Sequence, residues 1–171
     1  MSIHTENQVV KGIIPPMVTP LLPDNVSLDI NGVKKLVEHL IAGGVHGIFI
    51  LGTTGESTSL SYATRRQLII ETCTVVNNRV PVFVGITDTA IEESVQLADV
   101  AKASGAAAVV AAPPYYYGLG QEELFKYYWK LADQLSLPLF LYNMPSHTKI
   151  NIDAKTVVRL SEHDNIIGLK D

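Results

Sequence analysis

A lysine that closes a short apolar run is one of the few side chains able to attack a carbonyl carbon, and Lys170 closes the run 165–169. An amine walled by apolar side chains has its ammonium form disfavoured, which leaves free amine for imine formation. Alternation along the run puts Ile167 and Leu169 on one face and Ile166, Gly168 and Lys170 on the other. With the first face against helices, Lys170 points into the mouth of whatever the strands enclose, above a glycine. The plain competing reading is a solvated lysine at a strand end.

Other runs end in residues that suit the same chemistry. Tyr142 follows the run 138–142 within Tyr-Asn-Met-Pro-Ser, and Tyr115, Tyr116 and Tyr117 follow an earlier run. A phenol beside an imine-forming lysine can relay the protons that carbinolamine formation and dehydration must move, although tyrosines are also ordinary wall residues. The turn Gly52-Thr53-Thr54-Gly55-Glu56 sets two hydroxyls and a run of backbone N–H groups just before a helix. Such a nest suits a carboxylate or phosphate; a threonine-capped tight turn is the bland alternative. The five histidines show neither H-x-H nor H-E-x-x-H spacing, so a metal-dependent mechanism is disfavoured and no metal site is assigned.

The elements that must position these residues alternate. Apolar runs at 12–18, 47–51, 81–85, 106–112, 138–142 and 165–169 read as strands, the fourth stopped by Pro113-Pro114. Between them, three- and four-residue apolar spacing predicts helices, first with the stripe Val33, Leu36, Val37, Leu40 and Ile41 ended by Gly43 and Gly44, then over 62–76, 91–103, 122–135 and 153–162. Strands apolar on both faces and joined by helical crossovers belong to a parallel α/β sheet, either a barrel or a doubly wound sheet. The absence of a G-x-G-x-x-G turn favours the TIM (β/α)8 barrel, which has eight units and about 250 residues. The reading is therefore residues 1–171 as the N-terminal part of one barrel domain, ending at the sixth strand, about two units short of closure.

Composition narrows the partners. With 47% hydrophobic and 18% charged residues the chain reads as globular, and a net charge of -4 without basic clusters gives no footprint for nucleic acid or an anionic membrane. The single cysteine, Cys73, rules out a disulfide framework and fits a reducing cytoplasm. Residues 1–10 carry no export-signal pattern, and no stretch reaches the roughly 18 apolar residues of a membrane span. A small-molecule partner is expected, with no cofactor assigned.

Taken together, Gly-Thr-Thr-Gly-Glu, Pro-Tyr-Tyr after the fourth run, Tyr-Asn-x-Pro after the fifth and Gly-Leu-Lys-Asp after the sixth resemble the dihydrodipicolinate synthase and N-acetylneuraminate lyase family, from about Gly12 to Asp171. The resemblance implies a class I aldolase or lyase in which Lys170 forms a Schiff base with pyruvate or a related 2-oxo acid, then makes or breaks a bond to an aldehyde. It implies Tyr142 as proton shuttle, with Gly52, Thr53 and Thr54 at the 2-oxo acid's carboxylate. It further implies Thr53 in a relay with Tyr142 and with Tyr116, a residue that reaches across a dimer interface in family members, and hence a homo-oligomer, dimer or tetramer. One departure bears on the aldehyde: synthases usually carry arginine five residues after the tyrosine, where His147 stands here. An imidazole cannot replace a guanidinium fork, so His147 is expected to bind a hydroxylated or differently charged aldehyde, as in sugar-acid aldolases and dehydratases. Two other readings stay open: a non-catalytic barrel fragment or interaction module, and a phosphate-binding βα protein, which lacks the P-loop lysine pattern.

Overall fold

In the computed structural model, which describes residues 11–171, short runs of β-branched and small apolar residues form five strands. They are β1 Ile48–Ile50, β2 Val82–Gly85, β3 Ala108–Ala111, β4 Leu139–Tyr142 and β5 Ile166–Lys170, all parallel and in chain order across one sheet. Parallel neighbours need long crossovers, and helices supply them. α1 Ile30–Ala42 precedes β1; α2 Tyr62–Val76, α3 Ile91–Ala103 and α4 Gln121–Gln134 each link the next pair of strands. Before β5 come a one-turn α5, Pro145–Thr148, and then α6 Ala154–Leu160.

Local chemistry sets the helix ends. The Asp29 carboxylate accepts from Gly32 N–H at 2.9 Å to cap α1, and Ser61 Oγ accepts from Thr64 N–H at 3.1 Å to cap α2. The α1 stripe turns inward as its spacing requires, with Val33 and Val37 fully buried, and Gly44 leaves the helix at φ +78°.

Alternation along the strands divides the apolar side chains between two layers. Ile48, Ile50, Val82, Val84, Val109, Leu139 and Leu141 pack against the helices, meeting Val37, Leu68, Leu97, Leu124 and Leu131. The other face carries Phe49, Phe83, Val110, Ala112 and Tyr142, with Phe140 beside them. Cutting a fully buried leucine such as Leu139 to alanine costs about 2–5 kcal/mol, so the helix-side layer holds the sheet's shape.

Two expectations are corrected. The run 12–18 is not a strand. It lies beside β1 through Met17 N–H to the Phe49 carbonyl at 2.8 Å, Phe49 N–H to Pro15 at 3.1 Å and a single bridge between Pro16 and Phe49. Pro15 and Pro16 lack the N–H groups a continuous ladder needs, so the described sheet has five strands, not six. Second, Ile166 does not share a face with Gly168 and Lys170. A register shift between Leu139 and Phe140 sets Ile166 opposite Leu139 but Gly168 opposite Phe140. The extra residue of this bulge turns Ile166 into the helix-side core. Leu169, opposite Leu141, stays 42% exposed rather than covered by a helix.

No helix among the described residues is long and apolar enough to cross a membrane. The first ten residues, read above for an export signal, lie outside the described ones.

Candidate active site

Lys170, Tyr142, Thr53 and His147 gather at the C-terminal ends of the strands. At the end of β1, Leu51 is buried and takes a left-handed φ of +57°. Such a conformation costs a leucine about 1–2 kcal/mol, and it swings the chain out of the strand so that Gly52 and Thr53 face the sheet's inner layer. The Leu51 carbonyl packs onto Gly85 so closely that a Cβ there would overlap it. Thr19 Oγ1 donates to the Gly55 carbonyl at 2.7 Å and steadies the middle of the same turn.

At the ends of β4 and β5 the register pairs Tyr142 with Lys170. Lys170 is half-buried, and its Nζ lies 3.7 Å from the centroid of the Tyr142 ring and 6.0 Å from that of Phe49, within reach of a cation–π contact. Gly168 lies under the Phe140 ring, where a Cβ would collide with it, so the strand comes close enough to lay the lysine over the tyrosine. Tyr142 is 7% exposed, and its Oη is 3.3 Å from Thr53 Oγ1. The structure thus joins Lys170, Tyr142 and Thr53, residues from three different β/α units, in one contiguous set.

Thr53 and Tyr142 border a cleft of about 520 Å³ walled also by Phe49, Gly52, Thr87 and His147 among others, and Lys170 lies against the Tyr142 ring. His147, on α5, is exposed at the mouth, its Nδ1 2.9 Å from Ser146 Oγ. Thr54 is exposed and does not line the cleft wall. In the tyrosine triplet Tyr115 lines the cleft, whereas Tyr116 is 76% exposed and stacks edge-on against Tyr117, centroids 4.9 Å apart. Among the described residues no group of three or more His, Cys, Asp or Glu side chains could hold a metal ion.

Sequence reasoning passed over two residues that shape this end. Thr87 Oγ1 accepts from Ala112 N–H at 2.9 Å and ties the exits of β2 and β3. Asn143 N–H donates to the Lys170 carbonyl at 2.8 Å, its Nδ2 to Asp171 Oδ1 at 2.8 Å, and its Oδ1 accepts from Ile152 N–H at 3.0 Å. The asparagine in Tyr-Asn-x-Pro was the available signal, since an amide after a strand can bridge separate backbone segments.

The model of the dihydrodipicolinate synthetase family matches residues 9–171. The chain belongs to the dihydrodipicolinate synthetase family. Within this family, dihydrodipicolinate synthase from Bacteroides thetaiotaomicron superposes with a TM-score of 0.92 at 56% identity, over 97% of this chain and 55% of that one. The chloride-inhibited synthase from Acinetobacter baumannii, complexed with pyruvate, gives 0.90 at 39%, over 95% and 55%. A protein of Escherichia coli K12 named as a probable 2-dehydro-3-deoxy-D-pentonate aldolase is 39% identical over 94% of this chain and 53% of its own length. The chain spans about half the length of the curated relatives it matches. Its α/β fold is that of the family's TIM barrel, represented here by five parallel strands with their crossover helices.

Proposed function

We propose that this dihydrodipicolinate synthetase family member is a class I aldolase or lyase that joins Lys170 to pyruvate or a related 2-oxo acid as a Schiff base. The observation that carries the reading is the contiguous set Lys170, Tyr142 and Thr53, with 3.7 Å from ammonium to ring centroid and 3.3 Å from phenol to hydroxyl. The pyruvate bound to the Acinetobacter baumannii synthase supports the 2-oxo acid.

In the proposed mechanism the free amine of Lys170 attacks the keto carbon, and the keto oxygen takes up a proton as the carbinolamine forms. Tyr142 delivers and recovers the protons that turn the carbinolamine hydroxyl into departing water, Thr53 passing them on through its hydroxyl. Gly52 and Thr53, on the cleft wall, hold the substrate carboxylate through backbone N–H and hydroxyl groups, and Thr54, exposed outside that wall, adds its backbone N–H. Loss of a proton from the carbon beside the imine gives an enamine. Its attack on an aldehyde makes the new carbon–carbon bond, and the reverse sequence cleaves one. Hydrolysis of the imine then frees the lysine.

His147 at the cleft mouth is assigned to the aldehyde. The aldolase name of the Escherichia coli relative supports a hydroxylated aldehyde, and the synthase names of other relatives keep the aspartate-semialdehyde of a synthase as the alternative. Tyr116, exposed beside the site, is assigned to the relay of a neighbouring copy in a homo-oligomer, dimer or tetramer. Residues 1–171 are read as one part of a single (β/α)8-barrel domain. The lone buried Cys73 supports a cytoplasmic setting.

The test is the intact mass of the full-length protein after treatment with pyruvate and borohydride. A reduced adduct mapped to Lys170 and absent from Lys170→Met is expected; an unmodified parent sinks the imine mechanism. For the aldehyde, His147→Arg should raise condensation with aspartate-semialdehyde. If that condensation is already robust in the parent and does not change, the specificity argument fails.

A further inference from the structure

Away from the lysine, one charged pair is withdrawn from water. Arg65 in the first turn of α2 and Asp88, which follows β2, are 5% and 2% exposed, and Arg65 Nη1 donates to Asp88 Oδ2 at 3.1 Å. The carboxylate has further partners: Tyr62 Oη donates to Oδ2 at 3.1 Å and Ala90 N–H to Oδ1 at 3.1 Å. Arg65 also lays its guanidinium over the Tyr62 ring, 4.9 Å from the centroid.

The guanidinium has another bond, to the loop that lines the cleft. Arg65 Nε donates to the Leu60 carbonyl at 3.1 Å. Leu60 ends the loop that leaves β1 at Gly52, passes through the 3-10 turn Ser57–Ser59, and lines the cleft with Thr53, Glu56 and Ser57. The loop is thus pinned at Leu51 by its strand, at Gly55 by Thr19, and at Leu60 by Arg65, which Asp88 fixes from the next β/α unit.

A buried ion pair is a poor source of stability, because desolvating both charges offsets their attraction and an apolar pair of similar volume does as well or better. An apolar pair cannot, however, hold the Leu60 carbonyl with a donor of fixed direction. We propose that Arg65 and Asp88 are positioning residues for the 52–56 turn: the pair fixes the loop's far end so that the turn's N–H groups stay preset for a carboxylate. This rests on the assignment of that turn to the substrate carboxylate under the proposed function.

The test is made on the full-length protein with the double substitution Arg65→Met and Asp88→Leu. Its thermal midpoint should fall by only several degrees, through the lost bonds to Leu60, Tyr62 and Ala90, while half-saturating pyruvate for trapping at Lys170 rises about tenfold, equivalent to about 1.4 kcal/mol. The trapping rate at saturating pyruvate should stay the same, and amides of residues 55–60 should exchange with solvent faster. Unchanged half-saturation and unchanged exchange in the folded double variant overturn the proposal. Should that variant fail to fold, Asp88→Asn, which keeps shape and acceptor but not charge, takes its place, with the same two readouts deciding. A parent that traps no 2-oxo acid removes the Schiff-base reading instead; amide exchange alone then decides, and equal rates in parent and variant overturn the positioning role.

Discussion

Replacing Tyr142 with phenylalanine separates what the ring does from what the phenol oxygen does. The ring's packing survives the change, because the edge-on contact with Phe49 at 6.3 Å between centroids and the seat under Lys170 Nζ at 3.7 Å involve only carbon. What is lost is one oxygen, whose contact with Thr53 Oγ1 at 3.3 Å is long for a hydroxyl pair, where about 2.7–2.8 Å is usual. The stability cost should therefore sit at the low end of the about 0.5–1.5 kcal/mol a hydrogen bond contributes, a drop of about 1–2 °C in thermal midpoint. Removal of a positioned proton donor should by contrast slow imine formation about 10²–10⁴-fold. Quenched-flow trapping with borohydride, read by mass spectrometry at Lys170, measures the rate, and calorimetry the midpoint. Thr53→Val should slow the same step, and the double variant should be slower by less than the product of the two, since one relay is broken once. An unchanged trapping rate in Tyr142→Phe would refute the shuttle role outright; a midpoint loss several times larger than stated would show that the phenol's main work is structural.

Three more expectations follow from particular contacts. Gly85→Ala should destabilise the fold by about 1–3 kcal/mol in urea unfolding, because the new methyl meets the Leu51 carbonyl, backbone that cannot swing aside; an unchanged midpoint would show that this contact yields freely. The Cys73 thiol is pushed up to about 11 by desolvation, so iodoacetamide should leave it unlabelled at neutral pH until urea opens the core, and labelling of the folded protein at the rate of a free thiol contradicts this. The Arg79 guanidinium beside Glu38 holds that carboxyl below its ordinary 4.5. A depressed folded value contributes stability that is complete above 4.5 and lost as pH falls through the folded value, so Glu38→Gln should be less stable than the parent at neutral pH and converge with it as pH falls below 4.5. Salt should shrink the difference for so exposed a pair, and a difference between parent and variant that stays the same from neutral pH down through that range would show another cause.

The periodic parts of the molecule were open to reading in one dimension. α2 Tyr62–Val76 and α3 Ile91–Ala103 fall on their expected limits, because caps and glycines mark helix ends where apolar spacing alone blurs them. The corrections arise where a neighbour decides. Pro15 and Pro16 sit in a run apolar enough for a strand, yet their missing donors matter only once β1 lies alongside. Ile166 obeys period-two alternation until the bulge adds a residue, and no count along one strand reveals the register of its partner. The site shows the same division. Lys170 and Tyr142 were legible as ends of apolar runs, whereas Arg65 and Asp88 look like ordinary surface charges in sequence and become a buried pair only when α2 and the β2 exit meet.

That division also assigns the chemistry and the selectivity to different kinds of structure. Lys170 and Tyr142 are cross-strand partners on adjacent strands, so their separation is set by backbone register and by glycine at position 168. Shifting either one alone would break ladder hydrogen bonds. His147 has no such constraint: α5 is a single turn, held by His147 N–H and Thr148 N–H to the Met144 carbonyl at 3.0 Å each, and the imidazole faces solvent beside Ser146. On the proposed function, a substitution there would alter what the cleft mouth offers the aldehyde without moving the lysine or the phenol. Loops on a rigid scaffold tolerate such change, and relatives that carry both synthase and pentonate-aldolase names are what that arrangement permits.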